Sequence, residues 1–184
     1  MSVQTWEEAL YSSIADATQI SNTVTETIMV PDTAIPAKYW YPGRTLKATL
    51  RGALSCVVTT PGTLTIRARY GGVGGTLLVA SAALSMNIVA KTNSQVEFNF
   101  LITCRAAGWS ATSGSLWATG QAMLGEARIA ANVGQVDMLP LNAPAVVASL
   151  DLTSAGTLSF TGQFSVATSP TNLLINQFVL EALN

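Results

Sequence analysis

The cleanest alternation in the chain runs over residues 95–106. Val96, Phe98, Phe100, Ile102 and Cys104 share one parity, and Gln95, Glu97, Asn99, Thr103 and Arg105 share the other. A period of two marks a strand with one face in a core and one face outside it. Leu101 interrupts the polar parity, a mild sign that the outer face is covered as well. The same period runs over residues 45–56, where Leu46, Ala48, Leu50, Leu54 and Cys56 oppose Thr45, Lys47, Thr49, Arg51 and Ser55. It resumes at Leu64, with Ile66, Ala68 and Tyr70 beside it and Thr65, Arg67 and Arg69 opposite. Between these two runs Pro61 presets φ for one corner of a turn, and Gly62 can take the positive φ of the next. The two runs therefore read as an antiparallel hairpin.

Further strands follow from the same pattern. Residues 116–124 place Ala118, Gly120 and Ala122 inward and Trp117, Thr119, Gln121 and Met123 outward, so large apolar groups again fall on the outer parity. Residues 146–152, 157–167 and 172–183 are the last strands, separated by turn residues at 155–156 and 169–172. A β-branched run at 25–30, ended by Pro31, fits an edge strand. Gly71-Gly72-Val73-Gly74-Gly75 reads as a hairpin tip leading into the strand 76–80 rather than as a phosphate loop, which needs a helix N-terminus immediately after it. Between 127 and 143 the pattern weakens into connecting loops.

One helix interrupts this series. Thr5 can cap a helix over residues 5–17, Glu8 stands at capping-box spacing, and Trp6, Leu10, Ile14 and Ala17 fall on one stripe. The elements predict an all-β chain, an antiparallel two-sheet β-sandwich or jelly roll of eight to ten strands, with a short N-terminal helical arm. The arm spans 1–24 and a single jelly-roll domain spans 25–184. The arm's apolar stripe either docks on its own domain or lies on a neighbouring subunit, with Trp6, Leu10 and Ile14 as the contacts.

Composition sharpens this picture. Apolar residues make up 49% of the 184 positions, but charged residues make up only 10%, against about 25% in an ordinary soluble domain. Nine basic and ten acidic groups leave a net charge of −1, which supplies no field for nucleic acid or an anionic membrane. Low charge with neutral balance is a poor recipe for a dispersed monomer. Either much of the surface is covered in an assembly, or Ser, Thr, Asn and Gln solvate it. The opening residues lack the basic start and apolar run of a signal peptide, and no stretch approaches the length of a membrane span. The reading is a protein made and kept in the cytosol unless a particle carries it out, with a protein partner.

The candidate chemistry is sparse. The chain has no histidine, the commonest general base and a favoured zinc ligand. The carboxylates are dispersed, and Cys56 and Cys104 sit on the apolar parity of their strands, which fits two buried thiols while leaving one inter-sheet disulfide open. No catalytic, metal-binding or cofactor-binding residue is assigned, and the expectation is that the chain is not an enzyme. Lys47, Arg51, Arg67 and Arg69 share the outer parity of the expected hairpin; they form either a docking patch for an acidic protein surface or a solvated face. Tyr39, Trp40, Tyr41 and Trp109 are candidates for stacking on a sugar, or aromatic plugs at the end of a sandwich.

The run from Pro36-Ala37 through Gly43-Arg44-Thr45-Leu46, then Gly52, Val57-Val58-Thr59-Thr60-Pro61-Gly62-Thr63-Leu64-Thr65, Arg67 and Tyr70-Gly71-Gly72 resembles virion proteins of tailed double-stranded-DNA phages, of the capsid decoration (cement) or head structural kind. The resemblance covers about forty residues and consists of scaffold motifs. It implies a jelly-roll subunit, a homotrimer, bound to the major capsid protein on the outer surface of an icosahedral head in the virion. It carries no catalytic residues or cofactor. Two other roles remain open on the residues alone: a receptor- or carbohydrate-binding head of a tail fibre or spike, and a minor capsid protein.

Overall fold

The structure is a computed structural model that describes residues 7–57, 59–127 and 136–183. Fourteen strands are found among them: β1 (Glu7–Ser12), β2 (Ile20–Ser21), β3 (Thr27–Ile28), β4 (Thr33–Ile35), β5 (Thr45–Cys56), β6 (Thr63–Tyr70), β7 (Thr76–Ala80), β8 (Leu84–Ser85), β9 (Lys91–Ala106), β10 (Gly114–Met123), β11 (Val136–Leu139), β12 (Val146–Leu150), β13 (Gly156–Phe164) and β14 (Asn172–Leu183). One 3₁₀ turn, Gly125–Ala127, follows β10. No helix among the described residues is long and apolar enough to cross a membrane.

These strands form two antiparallel sheets. The larger has the order β1-β14-β5-β9-β10-β11, with β2 also on β14 and β12 also on β10; the smaller has the order β3-β13-β6-β7, with β4 on β13 and β8 on β6. Let β1, β3 with β4, β5, β6, β7, β9, β13 and β14 be eight principal strands in chain order. Their arrangement is then first-eighth-third-sixth facing second-seventh-fourth-fifth, which is the double Greek key of a jelly roll. The segment β10–β12 is an addition that widens the larger sheet beyond β9.

The inward parities are those read from the sequence. Leu46, Ala48, Leu50 and Leu54 of β5, Leu64, Ile66 and Ala68 of β6, and Val96, Phe98, Phe100 and Ile102 of β9 are all fully buried. Between the sheets Phe100 of β9 meets Phe160 of β13 at 4.9 Å between ring centroids, and Phe160 meets Phe178 of β14 at 5.6 Å. Offset and edge-on rings at these distances add to their area burial. Gly52 permits the closest backbone approach: a Cβ there would run into the Leu174 carbonyl, opposite the bulge that separates Ile175 from Gln177. Cys56 and Cys104 are both buried free thiols.

Two expectations are corrected. Residues 45–56 and 64–70 do not form a hairpin. β5 pairs with β14 and β9, whereas β6 pairs with β13, β7 and β8, so the chain crosses from one sheet to the other between them. Alternation shows which face is buried but not which strand lies alongside, and both sheets of a sandwich share the same period. Gly62 does take a positive φ, 72°, but in a crossover.

The N-terminal helical arm is also absent over its described part. Glu7–Ser12 is an edge strand on β14, with Glu7 opposite Leu183, Ser12 opposite Val179 and a bulge at Ala9/Tyr11. The bulge lets Leu10 and Tyr11 both pack on the core, and the Tyr11 ring lies 5.2 Å from Phe178. A helix this short is marginal alone, while the β14 edge offers a row of unpaired backbone groups. Trp6, with the Thr5 cap, lies outside the described residues.

Deleting residues 7–17 should therefore cost on the order of 2–4 kcal/mol, because it removes Tyr11 from Phe178 and bares the β14 edge. Urea unfolding reads this as a lower midpoint. An unchanged midpoint would show that the segment is a detachable arm.

Candidate functional site

The six described residues among those proposed for contact do not form one surface; Trp6 lies outside the described residues. Leu10 is half-buried against the core. Ile14 is fully exposed, on a segment pinned to β14 by Ser13 N to Phe178 O at 2.8 Å, Ala17 N to Ile175 O at 2.9 Å, and Asn176 Nδ2 to Asp16 Oδ1 at 3.0 Å. Because β5 and β6 belong to different sheets, Lys47 and Arg51 lie on the outer face of the larger sheet and Arg67 and Arg69 on that of the smaller. The four cations are split between opposite sides of the sandwich.

Each of the four also has an acidic partner. On the larger sheet, Lys47 stands opposite Glu181 in register with Nζ to Oε2 at 3.4 Å, and Arg51 stands opposite Glu97 with Nε to Oε2 at 2.9 Å. Opposed charges at facing positions are the favourable cross-strand arrangement. On the smaller sheet one carboxylate serves both cations. Glu26, just before β3, accepts Arg69 Nε at 2.6 Å and Nη2 at 3.0 Å, lies 3.4 Å from Arg67 Nη1, and accepts Thr161 Oγ1 at 2.5 Å. Arg69 Nη1 also donates to Gly75 O at 2.9 Å. Ser159 and Thr161, on the outer parity of β13, are buried. The strap covers this middle part of the smaller sheet, leaving an open depression lined by Thr63, Thr65 and Gln163 at one end, and the hydrogen bonds from Arg69 hold the Glu26 carboxyl below the usual glutamate range.

The larger sheet is open. Its register places residues in rows across the strands: Met138, Gln121, Asn99 and Thr49 in one row, and Thr119, Leu101 and Lys47 in the next. Half-buried Thr49, Asn99 and Thr119 form the floor of a trough of about 460 Å³, and Leu101, Gln121 and Met138 stand exposed at its rim. Thr49 Oγ1 donates to Asn99 Oδ1 at 3.1 Å, and Asn99 Nδ2 donates to Glu97 Oε1 at 2.8 Å. That amide, and then Arg51, keep the Glu97 carboxyl low.

Beyond the trough the sheet ends in β11 and β12. Both pair with β10, and neither has a strand on its other side among the described residues. Val136, Met138, Leu141 and Val146 along this edge are each at least half exposed, Leu141 at 72%. Over residues 136–152 the only charged side chains are Asp137 and Asp151.

The aromatic candidates divide. Trp40 is a plug, 3% exposed and edge-on to Tyr70 at 6.5 Å. The Arg44 guanidinium lies between Tyr39 and Tyr41, 4.1 and 4.3 Å from their ring centroids, so the faces of the two rings turned toward it are occupied. Burial raises the Tyr39 pKa. Trp109 is the most open of the four, 92% exposed against 44% for Tyr41, on a loop held by Ser113 Oγ, which accepts Trp109 N at 2.9 Å and Ser110 N at 3.0 Å. Among the described residues no three metal-ligating side chains come together.

No family model matches the chain, and no curated protein matches it. Among solved structures, the CBM2 module of the evolved Dit of Lactobacillus casei BL23 phage J-1 is similar over 99% of this chain and 98% of that one, at 11% identity and a TM-score of 0.41. A likeness of that size carries nothing about function.

Sequence reasoning missed Glu26, the trough and the free edge. Nothing local shows Glu26 reaching residues forty positions away. The outward parity of Thr49, Asn99 and Thr119 was readable, but their adjacency needs the strand order.

Replacing Glu26 by Gln should lower the Tm at pH 7 by roughly 3–10 °C, since two guanidinium groups lose their counter-charge at a cost of about 1–3 kcal/mol. The folded-state pKa of Glu26 is depressed, so its contribution is complete above the ordinary glutamate value of about 4.3 and is lost as pH falls through the lowered one. The gap in Tm between parent and Glu26→Gln should therefore close below about pH 4. Differential scanning calorimetry across pH checks this, and a gap independent of pH would contradict it.

Proposed function

We propose that the chain is a structural subunit of a tailed phage particle, without catalytic activity, that binds as a homotrimer to the major capsid protein on the outer surface of the head. The observation that supports it best is the apolar, solvent-facing edge of the larger sheet at β11 and β12. An edge strand presents unpaired N–H and C=O groups, and monomeric proteins blunt such edges with lysines, inward charges or covering loops. Here Val136, Met138, Leu141 and Val146 face solvent along β11 and β12, which have no strand on their outer side among the described residues. Such an edge fits a surface that a neighbouring subunit covers. The jelly-roll order, the low charge content and the resemblance carried by residues 36–72 point the same way.

The action of such a subunit is additive. Each copy buries apolar area against its mates and the shell, and linked copies bind far more tightly than one alone. Trp109, exposed on a loop whose backbone is held by Ser113, is of the residue type most often found as an anchor at such contacts.

The test is light scattering of the purified protein followed by cosedimentation with undecorated heads. The parent should be a trimer that pellets with heads. The double variant Leu141→Lys, Val146→Lys should lose at least tenfold in head binding or trimer stability while its Tm stays within about 3 °C, since both positions are exposed. A parent that is monomeric and ignores heads would overturn the proposal, as would a double variant that assembles normally.

A further inference from the structure

We propose that the trough on the outer face of the larger sheet is a binding site for a neutral oligosaccharide. Its volume of about 460 Å³ lies within the range of small-ligand sites. It crosses β5, β9, β10 and β11, which at the usual strand spacing is about 15 Å, the reach of a few linked sugar rings.

The chemistry of the walls selects the class of ligand. The Arg51→Glu97←Asn99←Thr49 chain fixes the rotamers of the floor, yet leaves Asn99 a second N–H and Thr49 its oxygen lone pairs. Thr119 and the Gln121 amide stand beside them as further donors and acceptors. Leu101 and Met138 offer apolar surface to the C–H faces of a ring, at 42% and 55% exposure. The charges along the trough are cancelled in pairs, Lys47 with Glu181 and Arg51 with Glu97, so an anionic or cationic ligand gains nothing there.

A polypeptide is a poorer occupant. β5, β9 and β10 each have strands on both sides, so their backbone groups are engaged in the ladder and a peptide lying across the face cannot add a strand. All its main-chain groups would need side-chain partners, and the trough has few. A polyhydroxyl ligand matches side-chain amides and hydroxyls directly. The inference stands on the trough alone and holds whether the chain sits on a head or on a tail.

The experiment is a glycan array carrying neutral, sulfated and sialylated oligosaccharides, followed by amide chemical-shift mapping of ¹⁵N-labelled protein titrated with the neutral hits. Neutral glycans should bind, with shifts concentrated at residues 47–51, 97–101 and 119–121. Thr119→Trp, which fills the trough from an outward position, should weaken binding at least tenfold with an unchanged Tm. Gln121→Ala should weaken it severalfold. The site is overturned if no neutral glycan binds at millimolar concentration, if only charged glycans bind, if the shifts fall elsewhere, or if folded Thr119→Trp binds like the parent. The edge variants Leu141→Lys and Val146→Lys should leave glycan binding intact, so failure of the assembly role and failure of this site are separate results.

Discussion

Four aromatic rings run in contact through the sandwich, Tyr11 on Phe178, Phe178 on Phe160 and Phe160 on Phe100. They belong to β1, β14, β13 and β9 and pass from one sheet to the other and back. A slip of one residue in any of these strands would turn a ring to the solvent, so the stack sets the register of both sheets. It thereby also sets which side chains face outward. Asn99 and Leu101 reach the outer face because Phe98 and Phe100 occupy the inner one, and Thr49 and Arg51 reach it because Leu50 is fully buried.

The two outer faces so defined differ in what is left to bind. On the smaller sheet Glu26 gathers Arg67, Arg69 and Thr161 and covers the middle of the surface. On the larger sheet the same kinds of residue are paired strand to strand, which neutralises the face without covering it. A neutral trough remains, with an apolar free edge beyond it. With so few charged residues, nine of which are ion-paired with one another among the described residues, the exterior has little to hold a dispersed monomer in solution. A subunit that belongs to a larger particle has less need of that property.

The inner parities of β5, β6, β9 and β10 and the bounds of β14 were legible in the sequence, because alternation reports burial directly. Pairing was not. The run at 45–56 and the run at 64–70 look like neighbours across a Pro-Gly turn, yet the partners of β5 begin at Lys91 and Asn172. Jelly-roll contacts are long-range, and a local pattern carries no information about them. The N-terminal stripe fits a helix by period, but the same Leu10 reaches the core through a bulge once the β14 edge is available. β11 was missed because four residues ending at Leu139 are too few to show a period. The candidate site followed the pairing: four cations on one imagined face became two ion-paired groups on opposite faces, and the surfaces that remain open are marked by uncharged residues that draw no notice in a sequence.

The central claim is that the β11–β12 edge is covered when the protein is in its working assembly. Hydrogen–deuterium exchange, compared between the free protein and the protein bound to particles, reads this most directly, because amides of an exposed edge strand exchange faster than those that a partner covers. Slowed exchange in residues 136–139 and 146–150 on binding, with residues 22–28 over the smaller sheet unchanged, is the predicted result. Protection confined to the smaller sheet, with the β11–β12 edge exchanging as fast as in the free protein, would contradict it.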